Sequence, residues 1–193
     1  MVVLAGFAFL MNADVLIVKH YFTPDQAGFF ARAATIGRTI IFLPMPIAIA
    51  LFPKIVSNGA MSDQHGKLLG KALFYTALII VPGVLFCTIY PQVPLGILYH
   101  DWVPAADMCR LVRSTIWAMT PLSMAFIIMN FELAQNRFRI TVPLILCVAG
   151  YLAGVSIWHA SVLQIVAVLA TVSVLALLAL VLALPWRGKK CNG

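Results

Sequence analysis

The chain has 193 residues, of which 63% are hydrophobic and only 10% charged, with a formal net charge of +7. Soluble domains carry about 25% charged residues, and a mean hydropathy of +1.01 leaves more apolar surface than a globule of this length can enclose. The composition therefore excludes a soluble domain and points to an integral membrane protein. In that class a positive balance calls for no nucleic-acid partner, because cytoplasmic loops collect Lys and Arg.

Six apolar spans are expected, because about 20 apolar residues cross a hydrocarbon core as a helix. The first runs over about 2–21 and closes on the turn FTPDQ, where Thr23 or Asp25 suits the start of the next helix. The second covers about 27–52, with a kink expected at Pro44-Met45-Pro46. After the polar loop SNGAMSDQHGK, the third covers about 68–90 and contains Pro82. The proline-punctuated segment PQVPLGILYHDWVPAADMCR reads as a loop or half-buried turn. The fourth span, about 111–133, contains Pro121, and the basic loop AQNRFR follows it. The remaining apolar tract is too long for one helix and divides at Trp158-His159-Ala160-Ser161 into spans of about 140–158 and 161–184. Residues 186–193 form a basic tail. The fold class is all-α: a polytopic six-helix transmembrane bundle.

With six spans, Lys54, Lys67, Lys71, Arg137, Arg139, Arg187, Lys189 and Lys190 share a side with both termini, against Lys19, Arg110 and Arg113 on the other. That bias predicts cytoplasmic termini. The four cysteines form no C-x-x-C pair, the four histidines are scattered, and no nucleophile motif or phosphate-binding glycine loop is present. No metal, cofactor or enzyme activity is expected.

The candidate chemistry lies in charges within the first two spans. Arg38 stands ten residues past Gly28, about 15 Å along a helix, near the bilayer midplane. A central Arg costs at least about 2.5 kcal/mol to insert, so it faces a bundle interior or a wet cavity. It shares a stripe with Ala27, Ala31, Ala34 and Thr35. Its two readings are an anion site suited to a phosphate or diphosphate, and a structural Arg paired with a carboxylate or carbonyl. Arg32, about 6 Å inside the outer face, reads first as snorkelling. Asp14, about 9 Å below the outer end of the first span, is expected to pair with Arg32. Its alternative role is a proton or sodium site, with Asn12 as a further oxygen ligand. Glu132 is expected to pair with Arg137 or Arg139.

The stretch NADVLIVKHYFTPDQAGFFARAATIGRTIIFLPMPIAIALFPKI resembles the seventh and eighth helices of polysaccharide flippases of the multidrug/oligosaccharidyl-lipid/polysaccharide (MOP) exporter superfamily. The matching pieces are Asn12 and Asp14, Gly28-Phe29-Phe30-Ala31, Phe42-Leu43-Pro44 and Leu51-Phe52-Pro53. PLGILYHDWVPAADMCRLV and AQNRFR resemble later loops of the same family. The resemblance implies one lobe of a MATE/MOP-type fold, whose members set two six-helix lobes around a cavity that opens alternately to each face. It also implies an undecaprenyl-diphosphate-linked oligosaccharide as substrate, in the inner membrane of a bacterium. Arg38 and Arg32 become candidate diphosphate partners, and Asp14 and Asn12 candidate residues for a coupling H+ or Na+. The chain would then be a fragment or half-transporter needing a second lobe. The alternatives are a MATE-like drug or cation exporter lobe, whose positive substrate an Arg-lined cavity disfavours, and a non-transporting membrane assembly subunit.

Overall fold

The computed structural model of the chain describes residues 2–46, 62–134, 141–158 and 160–183. Among these the protein is all-helical, with seven helices and no strand: α1 (Val2–Tyr21), α2 (Pro24–Phe42), α3 (Ser62–Ile89), α4 (Gln92–Tyr99), α5 (Ala106–Ala134), α6 (Thr141–Ile157) and α7 (Val162–Ala183). In a medium without water only such internally bonded backbone is stable. Among the described residues three helices are long and apolar enough to cross a membrane, over Leu69–Ile89, Ala106–Leu133 and Val162–Leu182, and Val142–Ile157 is a shorter apolar helix.

Local chemistry sets the ends. Thr23 is the N-cap of α2 by position, with extended backbone and no side-chain cap bond, while Pro24 occupies the first turn and Asp25 complements the helix dipole. The helix ends at Phe42, before Pro44, and the remainder of the expected second span lies outside the described residues. The segment expected as a loop contains a helix, α4. Its last residue hands over to His100, which adopts a left-handed conformation with φ 57° and donates its N–H to the Gly96 carbonyl. Gly96 is required there, since a Cβ at this position would meet the Trp102 ring at 2.5 Å.

α5 is the central element, packed against α2, α3 and α7; α1 touches α2, α6 and α7, and α6 also lies against α7. Met108, Val112, Ile116, Met119 and Leu122 are almost completely buried on one side of α5, and Ile128 on the opposite side. Asp25 and Gln26, Asp107 and Arg110, and Val162 border one cleft, so the N-terminal ends of α2, α5 and α7 lie together. Helices α1 and α6, each joined to its successor by a short turn, therefore run parallel to one another. Two buried hydroxyls return to their own helices: Thr115 Oγ1 to Leu111 O at 2.8 Å and Ser173 Oγ to Leu169 O at 2.7 Å. Arg113 Nε–H donates to the Thr88 carbonyl at 2.8 Å, binding the C-terminal end of α3 to α5.

Helices α2 and α5 approach closely, and a Cβ on Gly37 would stand 2.8 Å from Thr115 and 3.3 Å from Met119. A methyl there separates the helices, and overpacking of this kind costs about 1–3 kcal/mol. Gly37→Ala is expected to lower the melting temperature of the purified chain. Gly70→Ala, where nothing lies within 4 Å of the new Cβ, is expected to keep it the same or raise it, through the better helix propensity of Ala.

Candidate functional site

The structure gathers four polar groups between α1 and α2. Arg38 Nη2 lies 2.7 Å from Asp14 Oδ1, and Arg38 Nε–H donates to the Met11 carbonyl at 2.9 Å. The Val15 N–H also donates to Asp14 Oδ1, at 2.8 Å. Asp14 is fully buried, whereas 19% of the Arg38 side chain remains accessible. The Met11 carbonyl and Val15 N–H are the partners of one i→i−4 step in α1. Both receive an extra polar partner here, so the pair is set into the backbone ladder of α1 as well as between side chains.

Asp14 pairs with Arg38 and not with Arg32, and helix geometry gives the reason. Asp14 lies seven residues before the end of α1 and Arg32 eight after the start of α2, so both stand about 10–12 Å below the turn. Arg38 is about 10 Å deeper than Asp14. Side chains tilt toward the N-terminus of their own helix. In this antiparallel pair Asp14 points down and both arginines point up, so residues at equal depth diverge and those a few turns apart converge. Arg32 instead lies over the Tyr99 ring, 5.6 Å from its centroid, a cation–π contact to α4. Asn12 is exposed and donates to its own helix at Ala8 O, 2.8 Å away, so the structure does not bring it to Asp14. Glu132 is buried near the end of α5, and its expected partners Arg137 and Arg139 lie outside the described residues.

Around this pair lies a polar face. Gly37 presses α2 against α5; Thr35 and Thr39, two residues to either side of it, point the opposite way and are exposed, as is Arg32. On α1, Asn12 is also exposed. The hydroxyls bond back to Ala31 O and Thr35 O. Two of the five guanidinium N–H groups of Arg38 are engaged, by Met11 and Asp14, which leaves donors available on the accessible edge. By contrast the outward face of α3 carries Phe74, Leu78, Val81, Leu85, Phe86 and Ile89. A groove of about 730 Å³ between α6 and α7 is also apolar, and includes Gly150, Gly154, Ala167 and Thr171 but none of the charged residues of the site. Among the described residues no group of His, Cys, Asp and Glu is arranged to hold a metal ion.

Sequence reasoning did not reach Tyr151, whose fully buried hydroxyl stands near Asp14, or the Met11 carbonyl as an acceptor for Arg38. No family model matches the chain, and no curated protein or solved structure matches it.

Removing one partner of a buried ion pair costs about 3–5 kcal/mol, because the other charge is left uncompensated. Arg38→Gln alone is therefore expected to destabilise the protein more than Asp14→Asn/Arg38→Gln together. A double-mutant cycle followed by thermal unfolding should give a coupling energy above about 1 kcal/mol for Asp14 with Arg38 and near zero for Asp14 with Arg32.

Proposed function

We propose that this chain is a six-span lobe of a translocator that flips a polyprenyl-diphosphate-linked oligosaccharide across the inner membrane of a bacterium during cell-surface polysaccharide synthesis. Both termini lie on the cytoplasmic side in this reading. The observation that carries it is the exposed face of α1 and α2. Asn12, Arg32, Thr35, Thr39 and the edge of Arg38 are displayed there, together with apolar Leu16 and Phe42, at depths where lipid offers no hydrogen bonds, while α3 and the groove between α6 and α7 display almost only apolar groups. Polar groups at such depth belong against protein or a water-filled cavity. A second lobe, in the same parent chain or a partner subunit, would close that cavity opposite α1 and α2. Arg32, with its cation–π hold on Tyr99, and the free edge of Arg38 are the diphosphate-facing cations, and Asp14 is the residue whose charge a coupling ion would modulate.

A second reading has its own support. The Asp14–Arg38 pair is the kind of contact that fixes helix register in a membrane assembly subunit with no transport role. The two readings part on ligand binding.

The test is binding of undecaprenyl diphosphate, undecaprenol and the lipophilic cation tetraphenylphosphonium to the purified chain. The diphosphate should bind and undecaprenol should bind far more weakly. Arg32→Gln and Arg38→Gln should each weaken diphosphate binding by about tenfold to a hundredfold, the worth of a charge-assisted hydrogen bond. Preference for the cation would favour an exporter lobe instead, and absence of all binding would favour the assembly subunit.

A further inference from the structure

Asp14 has two carboxylate oxygens, and Oδ1 alone is engaged, by Arg38 and the Val15 N–H. Oδ2 is buried and has no partner among the described residues. The phenolic hydroxyl of Tyr151 on α6 is in the same condition, fully buried and without a partner. Buried polar atoms are nearly always paired, so each orphan calls for a reason. Here one is an acceptor and the other can donate.

Packing brings the two to one level. α1 and α6 are in contact and run parallel. Gly6 of α1 faces Leu144 and Val148 of α6, at 3.5 Å and 4.0 Å from a Cβ placed on it. Counting five residues onward from Gly6, and from the midpoint of that pair, sets Tyr151 beside Met11, the turn where Arg38 meets α1. The Asp14 carboxylate is close enough for its charge to bear on the Tyr151 hydroxyl.

We propose that Tyr151 is a positioning residue that takes over Asp14 when Arg38 turns to an anionic ligand. The Tyr151 O–H moves onto Asp14 Oδ2 as the guanidinium leaves Oδ1, so the buried carboxylate keeps a side-chain donor beside the Val15 N–H throughout. No covalent bond changes and no proton is transferred. This inference rests on the reading of Arg38 as an anion-binding residue. Without a replacement side-chain donor, an anion that draws Arg38 away leaves a buried carboxylate with only the Val15 N–H, and a buried charge without its counter-ion is strongly disfavoured. Tyr151 lowers that obstacle while leaving the resting pair intact.

The experiment is binding of undecaprenyl diphosphate to the full chain, followed by tryptophan fluorescence. Tyr151→Phe should weaken binding by about tenfold without lowering the ligand-free melting temperature, because the ring stays and only an unpaired hydroxyl is lost. In an Asp14→Asn background the same change should have little further effect. In the unaltered protein the tyrosine C–O infrared band should shift on adding the lipid, a readout that does not depend on any variant folding. If Arg38→Gln weakens binding while Tyr151→Phe binds like the parent protein, the exchange of donors is wrong and the anion site stands. Equal losses in the Asp14→Asn background would make Tyr151 a packing residue and overturn the inference. If Arg38→Gln binds like the parent protein, the anion-site reading itself falls, and the inference with it.

Discussion

The arrangement of this bundle depends on one ion pair formed where water is scarce. Asp14 is wholly enclosed, and its charge is tolerable because Arg38 and the Val15 N–H both meet the same oxygen. The guanidinium also holds the Met11 carbonyl, so a single side chain of α2 grips α1 at two points one turn apart. On its other side α2 is drawn against α5 by the absence of a side chain at Gly37. The helix is thus fixed by a polar clasp on one flank and a steric fit on another, and its remaining face is left open.

That open face makes the bundle two-sided. Much of the exterior is as oily as an interior, with Phe, Leu, Ile and Val turned outward along α3. In water such a surface would drive aggregation, and in a bilayer it is ordinary. The face of α1 and α2 differs, because Arg32, Thr35, Thr39 and Asn12 are exposed there as well as apolar side chains such as Leu16 and Phe42. The hydroxyl and amide donors are satisfied by their own helices, which lets them stand beside protein or water. Arg32 is steadied by the Tyr99 ring and keeps its hydrogen-bonding edge unused among the described residues.

Hydropathy alone made the long helices legible, since runs such as the one containing Leu169 and Leu180 have no other stable form in an apolar solvent. It could not reveal α4, because QVPLGILY is short, carries a proline, and owes its helical ending to a left-handed His100 and to the Trp102 ring seated on Gly96. The sequence marked Asp14, Arg32 and Arg38 as costly charges needing partners. Depth suggested Asp14 with Arg32, but depth counts Cα positions, and the opposed tilt of side chains on antiparallel helices decides which ends meet. Tyr151 was hidden for another reason: within an apolar span a phenol looks like any bulky ring until its hydroxyl is seen to be unaccompanied. The groove between α6 and α7 did have a readable signal, the pair Gly150 and Gly154 four residues apart.

The manner in which α3 is attached carries a last implication. It meets α5 along one narrow strip, with Ala72, Ile80 and Val84 turned inward, and Arg113 anchors its far end at the Thr88 carbonyl. Its outward positions Phe74, Leu78 and Leu85 are about half or more exposed, so their identity is constrained by solubility in hydrocarbon more than by shape. Exchanges among bulky aliphatic and aromatic residues at Phe74, Leu78 or Leu85 are therefore interchangeable spellings of the same surface. A helix of this sort can drift widely in composition while the clasp between its neighbours stays the same.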